Sequence, residues 1–198
     1  MTRLEATRVI VSALGDEPVI ASLGHPAYDL FACGDRPENF YTWGSMGLTS
    51  SVALGVALAR PDRRVIAIDG DGSLLMNLGS LATIAACRPV NLVLVVMDNA
   101  CYGTTGGQET FTAGGANLED SARALGVSAA VTVRTPDELR EALAESRRSP
   151  GPWVIVAKVS ESAPTARPPV DCVFIKQRFM AAIGNPEAAT RGTASPQT

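Results

Sequence analysis

Residues 65–73 read Val-Ile-Ala-Ile-Asp-Gly-Asp-Gly-Ser, an apolar run that ends in a polar, glycine-rich turn. The continuous apolar character of residues 65–68 predicts a strand that is buried on both faces, as is typical of a parallel sheet. Open parallel sheets bind their ligands at the carboxyl ends of the strands. The turn itself is therefore a candidate binding site, because its glycines let a phosphate approach the backbone and a following helix presents unpaired N–H groups.

A second polar pair follows the next apolar run. Residues 92–97 are continuously apolar and are followed by Asp98 and Asn99, and Asn99 lies 28 residues after Asp71. A right-handed crossover places the two strands in one sheet, about 4.8 Å apart if they are neighbours. Asp71 and Asn99 would then project from the same edge. Carboxylate and amide oxygens, with a main-chain carbonyl nearby, suit Mg²⁺, whereas a zinc site would favour His or Cys.

The rest of the chain alternates short apolar runs with longer helical stretches. This alternation predicts an α/β fold, with an open, mostly parallel sheet and helices on both faces. Three more strands are expected, at residues 19–22, 130–133 and 153–159. Helices are expected near residues 28–31, from the glycines at 44–47 to about 60, and at 74–87, 118–125 and 136–147.

The composition divides the chain into three parts. Residues 1–160 are expected to form one domain that binds the ligand. Residues 161–184 form an extension, in which a linker rich in Pro, Ala and Thr crosses the surface before a short amphipathic helix at about 173–183. Residues 185–198 have little to bury and are expected to be disordered.

Several classes of function are excluded by charge and cysteine usage. A formal net charge of −3 gives no electrostatic footprint for nucleic acid or an anionic membrane. No apolar run approaches the roughly 20 residues that span a bilayer, and the first residues show no secretory signal. The four cysteines form no CxxC pair, so zinc or iron–sulfur ligation is not expected. We expect a cytoplasmic protein with reduced thiols.

These motifs resemble the signature of the thiamine-diphosphate-dependent enzyme family. Leu54-Gly55, Pro61 and residues 66–73 match its order and spacing, and Asp98-Asn99 resembles its closing Asn-Asn pair with Asp in the first place. The similarity runs from about residue 22 to residue 159 and covers only the family's diphosphate-binding domain. It implies thiamine diphosphate and Mg²⁺ as cofactors.

The resemblance assigns roles to matching residues. The metal would be bound by Asp71, the side chain of Asn99 and the main-chain carbonyl of Cys101. Gly44 would offer its carbonyl to the aminopyrimidine, and Met46 would separate the two rings of the cofactor. Taken alone, that segment is more typical of a helix start with a core methionine, and the metal motif beside it favours the role at the cofactor. The implied cofactor-binding residues are Gly24, His25, Gly44, Ser45, Met46, Gly70, Asp71, Gly72, Ser73, Asn99, Cys101 and Tyr102.

The resemblance also implies a partner. Members of the family need a glutamate at the pyrimidine ring, and it comes from another domain. We expect no glutamate of this sequence at the end of a buried strand facing the cofactor. The glutamate would therefore come from an α subunit that carries the pyrimidine-binding domain, in an α2β2 or larger assembly. The helix rich in small residues at 46–59 is a candidate part of that interface.

Within the family, residues 34–41 and 104–108 resemble those of the decarboxylases of sulfopyruvate and phosphonopyruvate. This implies that a small anionic 2-oxo acid is converted to an aldehyde and CO₂. Thr104, Thr105 and Gln108 are candidate substrate contacts, although a mobile surface loop fits the same residues. His25, the only histidine, is a candidate contact of diphosphate or substrate, and a structural histidine of the turn fits equally.

Other functions on the same scaffold remain open. The chain is also consistent with a thiamine-diphosphate-dependent carboligase or a subunit of a 2-oxo acid oxidoreductase. The absence of clustered cysteines weakens the oxidoreductase hypothesis. A non-catalytic scaffold that binds phosphate is a further alternative, but loss of activity would be expected to damage Asp71 or Asn99, and both are present.

Overall fold

The computed structural model describes residues 1–184. Its strands are β1 (Val19–Ala21), β2 (Asn39–Tyr41), β3 (Val65–Gly70), β4 (Leu92–Asp98), β5 (Cys101–Tyr102), β6 (Gln108–Glu109), β7 (Ala129–Val133) and β8 (Trp153–Lys158). Its helices are α1 (Arg3–Ser12), α2 (His25–Ala32), α3 (Thr49–Ala59), α4 (Asp71–Met76), α5 (Ser80–Cys87), α6 (Leu118–Ala124), α7 (Pro136–Arg148) and α8 (Cys172–Ala182).

Six of the strands form one parallel sheet in the order β2-β1-β3-β4-β8-β7, while β5 and β6 form a small antiparallel hairpin. All seven residues of β4 are buried, because this central strand is covered on both faces. The predicted α/β fold with an open parallel sheet is confirmed. The adjacency of β3 and β4, on which the predicted metal site depends, is also confirmed.

Helices cover both faces of the sheet, and successive residues of each strand enter opposite cores. On one face, residues such as Ile10 of α1, Leu30 of α2 and Leu139 of α7 pack on alternate residues of β3 and β4. On the other face, residues such as Leu54 of α3 and Ile84 of α5 pack on the intervening strand residues. The two cores hold the carboxyl ends of the strands in fixed register, which is the precondition for a site assembled at that edge.

Two helix boundaries differ from the prediction. The helix expected from residues 44–47 begins only at Thr49, since residues 42–48 form a turn with positive φ at Gly44 (67°) and Gly47 (86°). The helix expected at 74–87 is two helices, α4 and α5, separated by residues 77–79. The Asn77 side chain, in the segment between the two helices, donates to the carbonyl of Gly47 at 3.0 Å. This hydrogen bond joins the end of α4 to the turn at residues 42–48.

Both outer edges of the sheet are occupied by side chains. At one edge α8 packs against β2: Phe179 contacts Phe40 with ring centroids 5.2 Å apart, and Arg178 donates to the carbonyl of Asn39 at 3.2 Å. At the other edge Arg123 donates to the carbonyl of Ser128 at 2.9 Å and to that of Ala130 in β7. One main-chain acceptor of each edge strand, the carbonyl of Asn39 in β2 and that of Ala130 in β7, is therefore already used.

The C-terminal extension contains the expected short helix, which docks on the domain. Ile175 and Phe179 of α8 are buried. The division into domain, extension and tail remains a prediction, and its last part, residues 185–198, lies outside the described residues. In the described part of the chain, none of the helices has the length and apolar character that crossing a membrane requires.

Candidate functional site

A pocket opens at the carboxyl edge of the sheet, between the ends of β1, β3 and β4. Most of the predicted site residues line it: His25, Met46, Gly70, Asp71, Gly72, Ser73, Asn99, Cys101, Tyr102, Thr104 and Thr105. Four predicted residues do not line it, namely Gly24, Gly44, Ser45 and Gln108. Gly24 packs against the Thr104 side chain at the rim, whereas Gln108 is exposed in β6. The geometry thus brings the two motifs of the sequence to one point.

Asp71 is buried without a charged partner. Its side chain is 1% exposed and accepts hydrogen bonds from the hydroxyls of Thr110 and Thr112, the latter at 2.9 Å. Among residues 1–184 no lysine, arginine or histidine forms an ion pair with it. Burial raises the pKa of this carboxyl, so a bound cation would relieve an unfavourable environment.

The donor set around Asp71 fits a hard divalent cation. Asn99 and Cys101 line the same pocket and can contribute an amide oxygen and a main-chain carbonyl. Within the described ranges no cluster of three or more His, Cys, Asp and Glu side chains is present, so the amide and carbonyl oxygens are needed to complete a site. These residues are consistent with Mg²⁺ and less so with zinc.

Asp98, which stands where the family motif has Asn, has a structural role. Its side chain is 1% exposed and forms an ion pair with Lys158 at the end of β8. It also accepts from the backbone N–H of Ala100 at 3.2 Å and lies 2.9 Å from the Thr112 hydroxyl. Since β4 and β8 are neighbours, this ion pair joins two strand ends beneath the pocket.

The start of α4 leaves no room for a side chain. A Cβ added at Gly72 would lie 2.8 Å from Cδ1 of Tyr102 and 3.0 Å from Cγ2 of Thr110. The neighbouring Ser73 hydroxyl accepts from the backbone N–H of Gly47 at 2.9 Å. The glycine therefore allows close backbone approach at the pocket, while the serine ties α4 to the turn that carries Met46.

The turn at residues 42–48 places Met46 in the pocket wall. Met46 is half-buried there and does not belong to either core cluster. The alternative of a core methionine at a helix start is therefore not what the structure shows, because α3 begins three residues later. The role of Met46 in shaping the cofactor remains a prediction.

Glu161 is a residue beside the site that sequence reasoning missed. It lies three residues beyond β8, and its carboxylate accepts from the Asn99 amide and lies 3.5 Å from Nδ1 of His25. The expectation that no glutamate of this chain faces the cofactor stays a prediction, because these contacts join Glu161 to other side chains of the site. No local pattern signals this position, because Glu161 is held by an arginine at the opposite end of the chain.

That arginine, Arg3 in α1, is 2% exposed and joins three segments. It donates to Asp29 of α2 at 2.6 Å, to Glu161 at 2.6 Å and to the carbonyl of Ser162 at 2.6 Å. Burial opposes ionisation of Glu161, but the hydrogen bond and charge of Arg3 hold the pKa of Glu161 below its usual value. Burial and, less strongly, Arg3 lower the pKa of His25, which therefore favours the neutral form.

Comparison with known proteins agrees with this geometry. Residues 27–157 match the model of the thiamine pyrophosphate enzyme, C-terminal TPP binding domain. The chain is 40% identical to sulfopyruvate decarboxylase subunit beta of Methanocaldococcus jannaschii, over 91% of this chain and 96% of that protein. It is 37% identical to phosphonopyruvate decarboxylase of Streptomyces viridochromogenes, over 98% of this chain and 49% of that protein.

A solved structure shows the same fold. A putative thiamin diphosphate-dependent enzyme from Mycobacterium smegmatis superposes with a TM-score of 0.71 at 26% identity, covering 82% of this chain and 32% of the other. The resemblance inferred from residues 54–73 and 98–99 is thus confirmed. The chain belongs to the thiamine pyrophosphate enzyme family, in which it corresponds to the C-terminal domain that binds the cofactor.

Proposed function

We propose that this chain is the β-type subunit of a thiamine-diphosphate-dependent decarboxylase. Its substrate is a three-carbon 2-oxo acid that carries a sulfonate or phosphonate, and its products are an aldehyde and CO₂. The end-to-end likeness to a sulfopyruvate decarboxylase β subunit is the observation that carries the proposal. The pocket supports it, because a buried, uncompensated carboxylate stands beside glycines that admit a phosphate.

The chain's own residues would bind and orient the cofactor. Asp71, the Asn99 amide and the Cys101 carbonyl would hold Mg²⁺, and the backbone at Gly72 and Ser73 would bind the diphosphate. When bound, thiamine diphosphate supplies an electron sink for the pair of electrons left behind as CO₂ departs. The turn with Met46 sets the conformation of the cofactor, and the loop with Thr104 and Thr105 borders the substrate.

A partner α subunit would complete the site. The carboxylate of Glu161 is bound to Arg3 and to Asn99, a proposed metal ligand. We therefore assign it no role at the pyrimidine ring. The α subunit would supply the activating glutamate and the pyrimidine-binding domain, in an assembly with equal numbers of α and β chains.

The test is CO₂ release from sulfopyruvate and phosphonopyruvate, with thiamine diphosphate and Mg²⁺ added. The chain is assayed alone and after co-expression with the product of the neighbouring coding sequence, tested as the α subunit. Activity is expected only in the complex, and Asp71→Ala should abolish it, since the buried metal ligand is lost. Asp137→Ala removes the same charge from an exposed position in α7 and should leave the rate unchanged.

Two results would contradict the proposal. A complex that binds the cofactor but releases no CO₂ from either acid refutes the substrate class. Consumption of the acid with formation of a new carbon–carbon bond would indicate a carboligase instead.

A further inference from the structure

The segment from Glu161 to Arg167, here called the strap, begins beside the pocket and ends on two aromatic rings. It begins beyond β8, where Glu161 contacts Asn99 at the end of β4. It ends where the Arg167 guanidinium lies over the rings of Tyr28 and Trp43. These rings follow β1 and β2, so the strap leads from the end of β4 to the segments that follow β1 and β2. Six residues extend over roughly 20 Å, which suffices for the three strand spacings of about 4.8 Å between β8 and β1.

Arg167 is held in place without being neutralised. Its guanidinium carbon lies 5.4 Å from the Tyr28 ring centroid and 5.2 Å from that of Trp43. Stacking on aromatic faces fixes the guanidinium plane but leaves the N–H donors at its edge available. No carboxylate in residues 1–184 forms an ion pair with Arg167. Such an arginine is preorganised to bind an oxyanion through two parallel hydrogen bonds.

The other positive groups near the pocket are already compensated. Arg3 is bound to Asp29 and Glu161, and Lys158 is bound to Asp98. In the described part of the chain, Arg167 is therefore the cation beside the pocket that can meet an additional negative charge.

The two rings beneath Arg167 connect it to the pocket. The Tyr28 ring, on which it lies, contacts the His25 ring with centroids 6.1 Å apart, and His25 lines the pocket. Trp43, the second ring, is three residues before Met46, which also lines the pocket. Arg167 is thus joined to two pocket-lining residues through the two rings on which it lies.

We propose that Arg167 binds the sulfonate or phosphonate of the 2-oxo acid and thereby determines the specificity for acids with a second anionic group. This inference rests on the proposed function and adds the residue that distinguishes such acids from pyruvate. The guanidinium fork matches two of the three oxygens of either anion. Arg3 ties down the start of the strap at Glu161 and Ser162, and the rings of Tyr28 and Trp43 hold the fork at its end.

The test compares the co-expressed complex carrying Arg167→Met or Arg167→Lys with the wild-type complex. Steady-state kinetics are measured on sulfopyruvate, phosphonopyruvate and pyruvate. Arg167→Met should raise KM for the two anionic acids by roughly tenfold or more, the usual loss for a charge-assisted hydrogen bond. Its kcat/KM for pyruvate should change by less than about twofold, and Arg167→Lys should restore part of the loss. Arg140→Met, at an exposed site in α7, is the control for the change in net charge.

An equal loss on all three acids overturns the inference, because it indicates a structural role. Weakened association of Arg167→Met with the α subunit also overturns it, because the arginine then binds a carboxylate of the partner.

A binding measurement separates this inference from the proposed function. If the wild-type complex decarboxylates none of the acids, the proposed function fails, and calorimetric titration with the unreactive 3-phosphonopropanoate decides on Arg167. Binding to the cofactor-loaded wild-type complex that is at least about tenfold weaker in Arg167→Met supports the inference. Equal binding to both, or binding to neither, refutes it.

Discussion

Replacing Lys158 by Met should destabilise the chain far more than replacing its partner Asp98 by Asn. The two residues form an ion pair whose members differ in exposure: the Asp98 side chain is 1% exposed and that of Lys158 is 33% exposed. Without Asp98, the lysine amine can turn into water. Without Lys158, the buried carboxylate keeps only the Ala100 N–H and the Thr112 hydroxyl.

The size of the effect follows from this asymmetry. Removing one partner of a buried ion pair costs about 3–5 kcal/mol, because the remaining charge is left uncompensated. Since Lys158 is partly exposed and solvent screens the pair, we expect the lower end, about 3 kcal/mol. For a chain of this size that corresponds to a fall in Tm of about 6–12 °C. Asp98→Asn keeps the hydrogen bonds and should cost less than about 1 kcal/mol.

The assay is urea unfolding of the four chains of a double-mutant cycle, followed by tryptophan fluorescence. The double variant Asp98→Asn with Lys158→Met should be about as stable as Asp98→Asn alone, since no buried charge remains. Lys176→Met, which removes the exposed lysine of α8, serves as the matched control. Equal losses in the two single variants, or a loss below about 1 kcal/mol in Lys158→Met, would refute the reasoning.

Three further predictions test other parts of the site. Burial lowers the pKa of His25 below 6.5, so the unfolded chain binds more protons and stability should fall as the pH drops below that value. His25→Gln should therefore lose less stability than wild type between about pH 7 and about pH 5 in urea unfolding, and an equal loss contradicts the assignment. Gly72→Ala drives a methyl group into the tyrosine ring of β5 and should weaken thiamine diphosphate binding by calorimetry, whereas Gly79→Ala, which meets open space, should not. Burial raises the pKa of the Cys33 thiol, so iodoacetamide should modify the exposed Cys87 at least about tenfold faster by peptide mass spectrometry, and similar rates would count against this burial.

The sequence was most informative where apolar runs end in polar turns. The runs before Asp71 and Asn99 predict two buried strands, and the parallel topology then requires that their carboxyl ends meet at one edge. This reasoning brings together the residues proposed to bind the metal without any knowledge of the remaining chain. It works because an apolar run indicates a buried strand, and a crossover connection makes two successive strands parallel.

Other features leave no such local pattern. Strand β2 consists of Asn39, Phe40 and Tyr41, which do not form an apolar run. Its buried Asn39 amide lies 3.3 Å from the Tyr41 hydroxyl. Glu161 is brought to the pocket by Arg3, a residue 158 positions earlier. Contacts between such distant residues depend on the completed fold. The composition of the strap therefore predicts only a surface linker.

The side chains at the edges of the sheet bear on how this protein can assemble. With α8 packed against β2 and the Ala130 carbonyl of β7 accepting from Arg123, a second chain that continued the ladder of main-chain hydrogen bonds would have to displace these contacts. Recognition between subunits is then expected to depend on side chains, which differ from protein to protein. Backbone pairing accepts almost any extended chain, whereas a contact made of side chains selects its partner, so a subunit of this kind should reject the α chains of unrelated enzymes present in the same cell.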